Sequence, residues 1–376
     1  MRETPHPELV YRAGGVVERA RWWSESVTAP DRVAVADDHT TADVALRRAV
    51  AGEVLVYRGD WHNARQLLAA MGRRLRSPAP AGRDAAALYR AERERRRLEH
   101  EILTRLAVPL GPGWTCPLRR APPLDPALSA AFGPPPETAA LLPLREALGA
   151  IGAYEWLRRG VPVPALGGSV HPAYGVFAPV RGEYVDLVAR ALAERGPFAG
   201  ATAFDVGTGT GVLAVLLARA GARVVATDLD PRAVACARDN TRRFGVEAAV
   251  EVVEADLFPP GRARLIVANP PWLPGAPHGA LDRAIYDPAG AVLSRLLADL
   301  GEHLAPGGEA WLVLSDLAER LGLRTAGDLP ALFERAGLKV AFTLETRPAH
   351  PRARGGVDAL ARARAEERTR LYGLCA

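Results

Sequence analysis

The sequence predicts an α/β protein, with a doubly wound parallel sheet in its C-terminal part and a smaller α/β domain before it. Three observations carry this. From about Gly175 onward, apolar runs that end in turn residues alternate with segments of helical spacing. A glycine-rich turn follows the first of those runs. The chain has 376 residues, 48% of them hydrophobic, more than a single core of about 100–200 residues uses.

Taken in order, RVAVADD from Arg32 reads as a strand, TADVALRRAVAG as a helix, EVLVYRGD as a second strand and WHNARQLLAAMGRRL as a second helix. Residues 1–76 are therefore expected as a small βαβα unit. SPAPAG from Ser77 breaks the pattern, and RDAAALYRAERERRRLEHEILTRL follows as one long charged helix. Within it, RAERERRR (Arg90 to Arg97) alternates glutamate with arginine, so i,i+4 pairing on a solvated face competes with a phosphate or acidic-peptide contact. Trp22 and Trp23 read as packing residues at a domain edge or as a stacking platform for a base. Prolines crowd GPGW, APPLDP and GPPPE, which makes residues 77–150 a helical and proline-rich connection.

Residues 151–376 form the second domain. Its strands are ATAFDVG, ARVVATDLD, AAVEVVEAD, ARLIVANPP and GEAWLVLSD, with helices beginning near Val212, Pro231 and Ala289. KVAFTLETR and RTRLYGL, without a full-length helix between them, are expected as an antiparallel pair at one sheet edge. RARGGVDALARARAEER, residues 352–368, reads either as an ordered cover over the site or as a loop.

The formal net charge of +5 permits an acidic or nucleic-acid partner without demanding one. Lys339 is the only lysine, so arginine carries nearly all of the positive charge. Cys116, Cys236 and Cys375 are isolated, with no CxxC and no histidine at ligand spacing, so neither a disulfide framework nor a metal site is expected. No stretch of about 18 apolar residues exists and the first residues lack the core of a signal peptide, which predicts a soluble, cytoplasmic protein without a membrane partner.

FDVGTGTGVLA (Phe204 to Ala214) puts Gly207, Gly209 and Gly211 at the turn from the first strand to the first helix, where a backbone without Cβ atoms can approach a ligand. Val212 stands where a dinucleotide fingerprint needs glycine, and the absence of a following Gly-Lys-Ser/Thr excludes a P-loop. Asp228 closes the second strand, placed to accept from the vicinal hydroxyls of a ribose. Asp256 in EADLF, at the third strand end, is placed to accept from an adenine amino group, with Leu257 packing on its face. The fourth strand ends in LIVANPPWLP, Leu265 to Pro274. Two prolines stop the strand and stiffen it, so whatever the Asn269 side chain and Pro270 carbonyl point at is held rigidly.

Together, DVGTGTG, ATDLDPRAVACARDN, EADLF and IVANPPW resemble class I S-adenosylmethionine-dependent methyltransferases over roughly residues 165 to 345. The resemblance implies a Rossmann-like, seven-stranded methyltransferase domain with S-adenosyl-L-methionine as cofactor. It implies cofactor contacts at Asp205, Gly207, Thr208, Gly209, Thr210, Gly211, Asp228, Leu229, Asp256, Leu257 and Asn269, and a catalytic motif at Asn269, Pro270, Pro271 and Trp272. In that motif the Asn269 oxygen and Pro270 carbonyl each accept one N–H of a planar amide or amino group, which turns its lone pair towards the methyl donor. Trp272 offers a flat face to the substrate or packs against the turn.

Two branches are similar to this chain: release-factor glutamine methyltransferases, and ribosomal RNA guanine and adenine methyltransferases that share the small methyltransferase domain. RRGVPVPALGGSVHPAYGVFAPVRGEYVDLV resembles the first branch's Pro-Arg-Pro-Glu-Thr-Glu segment at Pro179, Arg181 and Glu183, which implies that Pro179 and Arg181 border the cofactor. It departs from that segment at Val180, Gly182 and Tyr184. YGVF is similar to the opening of the second branch, and AIYDP (Ala284 to Pro288) to an element of the first. Residues 1 to about 75 depart from the all-helical domain of release-factor enzymes. Protein or peptide amide, nucleic-acid amino group and small molecule all stay open as substrates, with release-factor-type glutamine favoured.

Overall fold

A computed structural model describes residues 6–76, 84–277, 279, 281–347 and 358–376. The chain divides into two compact units, one of Met1–Pro80 with Arg90–Glu155, the other of Ala81–Tyr89 with Trp156–Ala376.

The first unit begins with a hairpin, β1 (Glu8–Ala13) and β2 (Val16–Trp22), turned by Gly14 and Gly15. Both glycines have positive φ, the backbone that a two-residue hairpin turn requires. Next come β3 (Arg32–Asp37), α1 (Ala42–Val50), β4 (Glu53–Arg58) and α2 (Trp61–Leu75). This is the expected βαβα run, with Thr41 and Asp60 accepting N–H bonds as helix caps. The helix α3 (Ala85–Leu103) is followed by β5 (Leu106–Leu110), α4 (Asp125–Phe132), β6 (Ala140–Pro143) and α5 (Leu144–Arg159). The strand order is β1-β2-β6-β5-β4-β3.

The structure thus corrects the reading of residues 77–150 as a connection, because β5 and β6 lie inside the first sheet. Every residue of LAVPL and of ALLP is buried, so neither strand shows alternation, and each carries a proline that argues against a strand. SPAPAG lies outside the described residues. The arginine run of α3 is matched along its own helix: Arg96 pairs with Glu92, Arg95 with Glu99 at 2.5 Å, and Arg97 with Glu94 at 2.8 Å and Glu101 at 3.1 Å. Trp22 is buried with its indole N–H on the Val27 carbonyl, and Trp23 stacks on His6 and meets Trp114 edge-on. The packing reading holds for both.

The second unit opens with a hairpin of β7 (Val161–Val163) and β8 (Gly168–Val170), then α6 (Glu183–Arg195). It continues with β9 (Thr202–Val206), α7 (Val212–Arg219), β10 (Arg223–Asp228), α8 (Pro231–Arg243), β11 (Val250–Glu254) and β12 (Ala263–Ala268). After the short strands β13 (Leu273–Pro274) and β14 (Tyr286–Asp287) come α9 (Ala291–His303), β15 (Leu304–Ser315), α10 (Leu317–Arg320) and α11 (Asp328–Arg335). The end is β16 (Lys339–Thr346), α12 (Ala359–Glu366) and β17 (Thr369–Cys375).

The main sheet has seven strands in the order β11-β10-β9-β12-β15-β17-β16. All neighbours pair in parallel except β17, which is antiparallel to both β15 and β16, as expected for the final pair. Apolar residues of α6, α7 and α8 cover one face, and those of α9 and α11 the other. The strand order reverses between β9 and β12, and α/β sheets form their ligand crevice at the carboxyl edge of such a switch.

Candidate active site

Register fixes which residues meet at that edge. Val206 of β9 lies opposite Thr227 of β10 and opposite Ala268 of β12. Gly207, Asp228 and Asn269 therefore leave three neighbouring strands at one level, with adjacent backbones about 5 Å apart. The positions singled out from the sequence for glycine loop, acid and Asn-Pro-Pro converge.

The glycine loop is tied to its neighbour. The N–H groups of Gly207 and Thr208 both donate to the Thr227 carbonyl, at 2.9 and 2.8 Å. Gly207 and Gly209 have φ of 73° and 54°, and a Cβ at either would meet nothing within 4 Å. Gly211 differs, because a Cβ there would come within 3.1 Å of Ala237 in α8. Its absence lets two helices close up, whereas the first two glycines leave open space above the loop.

Asp228 is half-buried and receives two backbone N–H bonds, Gly209 on Oδ2 at 3.0 Å and Asp230 on Oδ1 at 2.9 Å. Each oxygen keeps acceptor capacity for a further donor. Burial raises its pKa above the ordinary carboxylate range, partly offset by those N–H groups. Leu229 beside it is 65% exposed. This open cradle with a fixed carboxylate fits the nucleoside of S-adenosyl-L-methionine.

Asp205 is buried beneath the loop and accepts from the Thr208 hydroxyl at 2.6 Å. Burial pushes its carboxyl up to about 7. Thr210 is also buried, and its carbonyl accepts from the Asn240 amide at 2.9 Å. Asn240 also exchanges bonds with the His171 backbone, donating to its carbonyl at 3.3 Å and accepting from its N–H at 2.8 Å. Sequence reasoning missed Asn240. Its signal was present: it continues the buried stripe of Ala233, Cys236 and Ala237 along α8, where a polar residue needs a partner.

At the third strand end the outcome is mixed. Leu257 has φ of 70°, its carbonyl takes the Thr227 hydroxyl at 2.5 Å, and its side chain packs on the core. Asp256 is exposed and pairs with Arg295 of α9 at 2.7 Å. Pro179 is buried, but Arg181 is committed to carboxylates, at 2.8 Å from Glu183 and 3.1 Å from the buried Glu367. The structure gives Arg181 a role in an ion network that also includes Ser315, whose hydroxyl reaches Glu367 at 2.8 Å.

Pro270 is buried and Asn269 half-buried at the end of β12. Among the described residues, neither the Asn269 side chain nor the Pro270 carbonyl has a hydrogen-bond partner. The turn beyond them is braced: Leu273 donates its N–H to the Ile285 carbonyl, and β13 pairs in parallel with β14. The AIYDP stretch supplies that second strand. Asp287 in it is buried, and its two oxygens accept the Val292 and Leu293 N–H groups at 3.0 Å, capping α9. Trp272 is partly buried against two apolar clusters, one of which joins Leu273 and Tyr286 to Leu317, Leu360 and Tyr89. Residues 352–357 lie outside the description, but α12 packs in this cluster over the Trp272 turn.

Residues 168–335 match the family model described as methyltransferase small domain. The chain is 33% identical over 187 residues to a release factor glutamine methyltransferase of Geobacter sulfurreducens, covering 46% of this chain and 62% of that protein. It is 40% identical over 144 residues to a ribosomal protein L11 methyltransferase of Pelotomaculum thermopropionicum, covering 38% and 39%. It is 34% identical over 111 residues to a ribosomal RNA small subunit methyltransferase C of Alcanivorax borkumensis, covering 29% and 30%. The chain thus spans less than two thirds of the length of each of these curated relatives.

Proposed function

We propose that the chain, whose residues 168–335 match the methyltransferase small domain, is an S-adenosylmethionine-dependent N-methyltransferase acting on a planar amide or amino nitrogen. The observation that carries the reading is the alignment of Gly207, Asp228 and Asn269 at one sheet edge, with two acceptors at the Asn-Pro turn that have no partner among the described residues.

When bound, S-adenosyl-L-methionine supplies an electrophilic methyl group. Asp228 would hold its ribose hydroxyls, Leu229 and Leu257 would flank the base, and the backbone of Gly207 and Gly209 would admit the rest. The acceptor nitrogen is a poor nucleophile because its lone pair is delocalised. The Asn269 oxygen and the Pro270 carbonyl each take one of its N–H groups, which fixes its direction and draws it towards tetrahedral geometry. Both oxygens also face the positive charge that develops on that nitrogen, an electrostatic stabilisation absent from the ground state. No general base has to act first: the methylated nitrogen is cationic and acidic enough to lose one proton to water after transfer, and the donor would leave as S-adenosylhomocysteine. Proline at two successive positions keeps the acceptors from relaxing away.

The favoured substrate is a protein glutamine amide of the release-factor type. Support comes from the named relative and from the AIYDP strand that braces the Asn-Pro-Pro-Trp turn. A second reading, a nucleic-acid amino group, is favoured by the first unit, which is a six-stranded α/β sheet and not an all-helical domain. The internal pairing of the α3 arginines removes the basic helix as support for it. Among the described residues no helix is long and apolar enough to cross a membrane.

The test is transfer of radiolabelled methyl from S-adenosylmethionine to cell lysate, fractionated into protein, RNA, DNA and small molecules. Label in protein that is lost with Asn269→Ala supports the amide reading. Label in RNA or DNA supports the second, and no label in any fraction contradicts both.

A further inference from the structure

The second unit has a second polar cavity, away from the crevice. It is lined by Ser169, His171, Arg219, Arg243, Phe244 and the Gly167–Gly168 turn of the β7–β8 hairpin. Arg219 is the last residue of α7 and Arg243 the last of α8. Crossover helices run antiparallel to their strands, so this cavity sits at the amino edge of the sheet, opposite the methyl-transfer site.

No carboxylate lines it. The neighbouring Arg242 pairs with Asp239, and Arg195 with Glu309 at 2.8 Å. Arg243 has no ion-pair partner among the described residues. Among the described residues Arg219 donates only to the Leu166 carbonyl, and its guanidinium lies 5.0 Å over the Phe244 ring, which holds it in place. His171 donates its Nδ1–H to the Leu157 carbonyl at 2.7 Å, which fixes the ring at the cavity wall and leaves Nε2 of the neutral imidazole an acceptor.

An arginine at a helix C-terminus by itself only complements the helix dipole. Here the last carbonyls are already taken, those of α7 by the Ala220 and Gly221 N–H groups and those of α8 by Phe244, Gly245 and Val246. Both positive charges stay available, beside the Ser169 hydroxyl. Such a convergence of donors without an acid suits a tetrahedral anion with several oxygens, since each planar guanidinium can engage two of them.

We propose that this cavity is a phosphate-binding site, occupied by the phosphate of a nucleic-acid backbone or of a small phosphorylated molecule. It is separate from methyl transfer and does not rest on that reading. A hydrogen-bond relay connects the cavity wall to the glycine loop: the His171 backbone is bonded to Asn240, which holds the Thr210 carbonyl.

The test uses the full chain, titrated calorimetrically at low salt with inorganic pyrophosphate and, separately, with a hexaribonucleotide. Arg243 and Arg219 are exposed, so Arg243→Gln and the double variant with Arg219→Gln are expected to fold, which thermal unfolding checks. Pyrophosphate affinity is expected to fall at least tenfold in the double variant, and Ser169→Ala serves as a second, uncharged probe with a smaller loss. If the hexaribonucleotide binds too, is competed by pyrophosphate and shows a shallower salt dependence in the double variant, the source is nucleic acid. Binding of pyrophosphate alone assigns a small phosphate. Absence of pyrophosphate binding to the wild type, or equal binding by the folded variants, overturns the proposal.

Discussion

The Tyr89 hydroxyl donates to the Pro274 carbonyl at 3.1 Å, joining residues 185 positions apart. Tyr89 lies in the first turns of α3, residues 85–89, which belong to the same compact unit as the Asn-Pro-Pro-Trp turn. Pro274 follows that turn in β13, so the bond fixes the far end of the segment that begins with Asn269.

Tyr89→Phe keeps the ring in its apolar cluster and removes the hydroxyl that makes this bond. The expected cost is about 1 kcal/mol of stability, and methyl transfer falls by about fivefold as the turn loosens. Product binding, measured by calorimetry with S-adenosylhomocysteine, should be unchanged. A matching loss of product affinity would place Tyr89 in the nucleoside site instead.

Asp228→Ala is expected to weaken S-adenosylhomocysteine binding by more than tenfold, because the carboxylate is held by Gly209 and Asp230 with acceptor capacity facing the crevice. Calorimetry decides it. Unchanged affinity would show that another residue holds the ribose.

Asp205 gives a pH signature. Its folded pKa of about 7 lies above its ordinary 3.8, so the native state binds its proton more tightly than the unfolded chain. Stability from this group is complete below about pH 4 and is lost as pH rises through about 7, a linkage on the order of 4 kcal/mol. Asp205→Asn, which can still accept from Thr208, should flatten the dependence of the melting temperature between pH 5 and 8. Parallel curves for the two proteins would remove Asp205 as the titrating group.

Arg181→Met leaves the buried Glu367 without its guanidinium. Breaking a buried pair costs about 3 kcal/mol, visible as a lower denaturation midpoint, with product affinity little changed. A loss confined to product affinity would return Arg181 to the cofactor border, where its sequence motif suggested it.

The central site was legible because its parts are local. Glycines at a strand-to-helix turn, an acid closing the next strand and prolines ending a third each announce themselves within a few residues, and parallel pairing does the rest. Asn240, Tyr89 and Glu367 escaped because their partners lie 30 to 186 positions away. The first unit was read short for a different reason. Its buried strands β5 and β6 hold four or five residues and a proline each, too little for periodicity, and the Gly14–Gly15 hairpin went unread.

The most direct measurement is single-turnover methyl transfer by Asn269→Ala beside its S-adenosylhomocysteine affinity, using the substrate fraction that takes label from the wild type. The account predicts a rate reduced by about a hundredfold or more, the scale of one lost transition-state hydrogen bond, with affinity within a few-fold. A rate near that of the wild type, or a loss of affinity as large as the loss of rate, would contradict it.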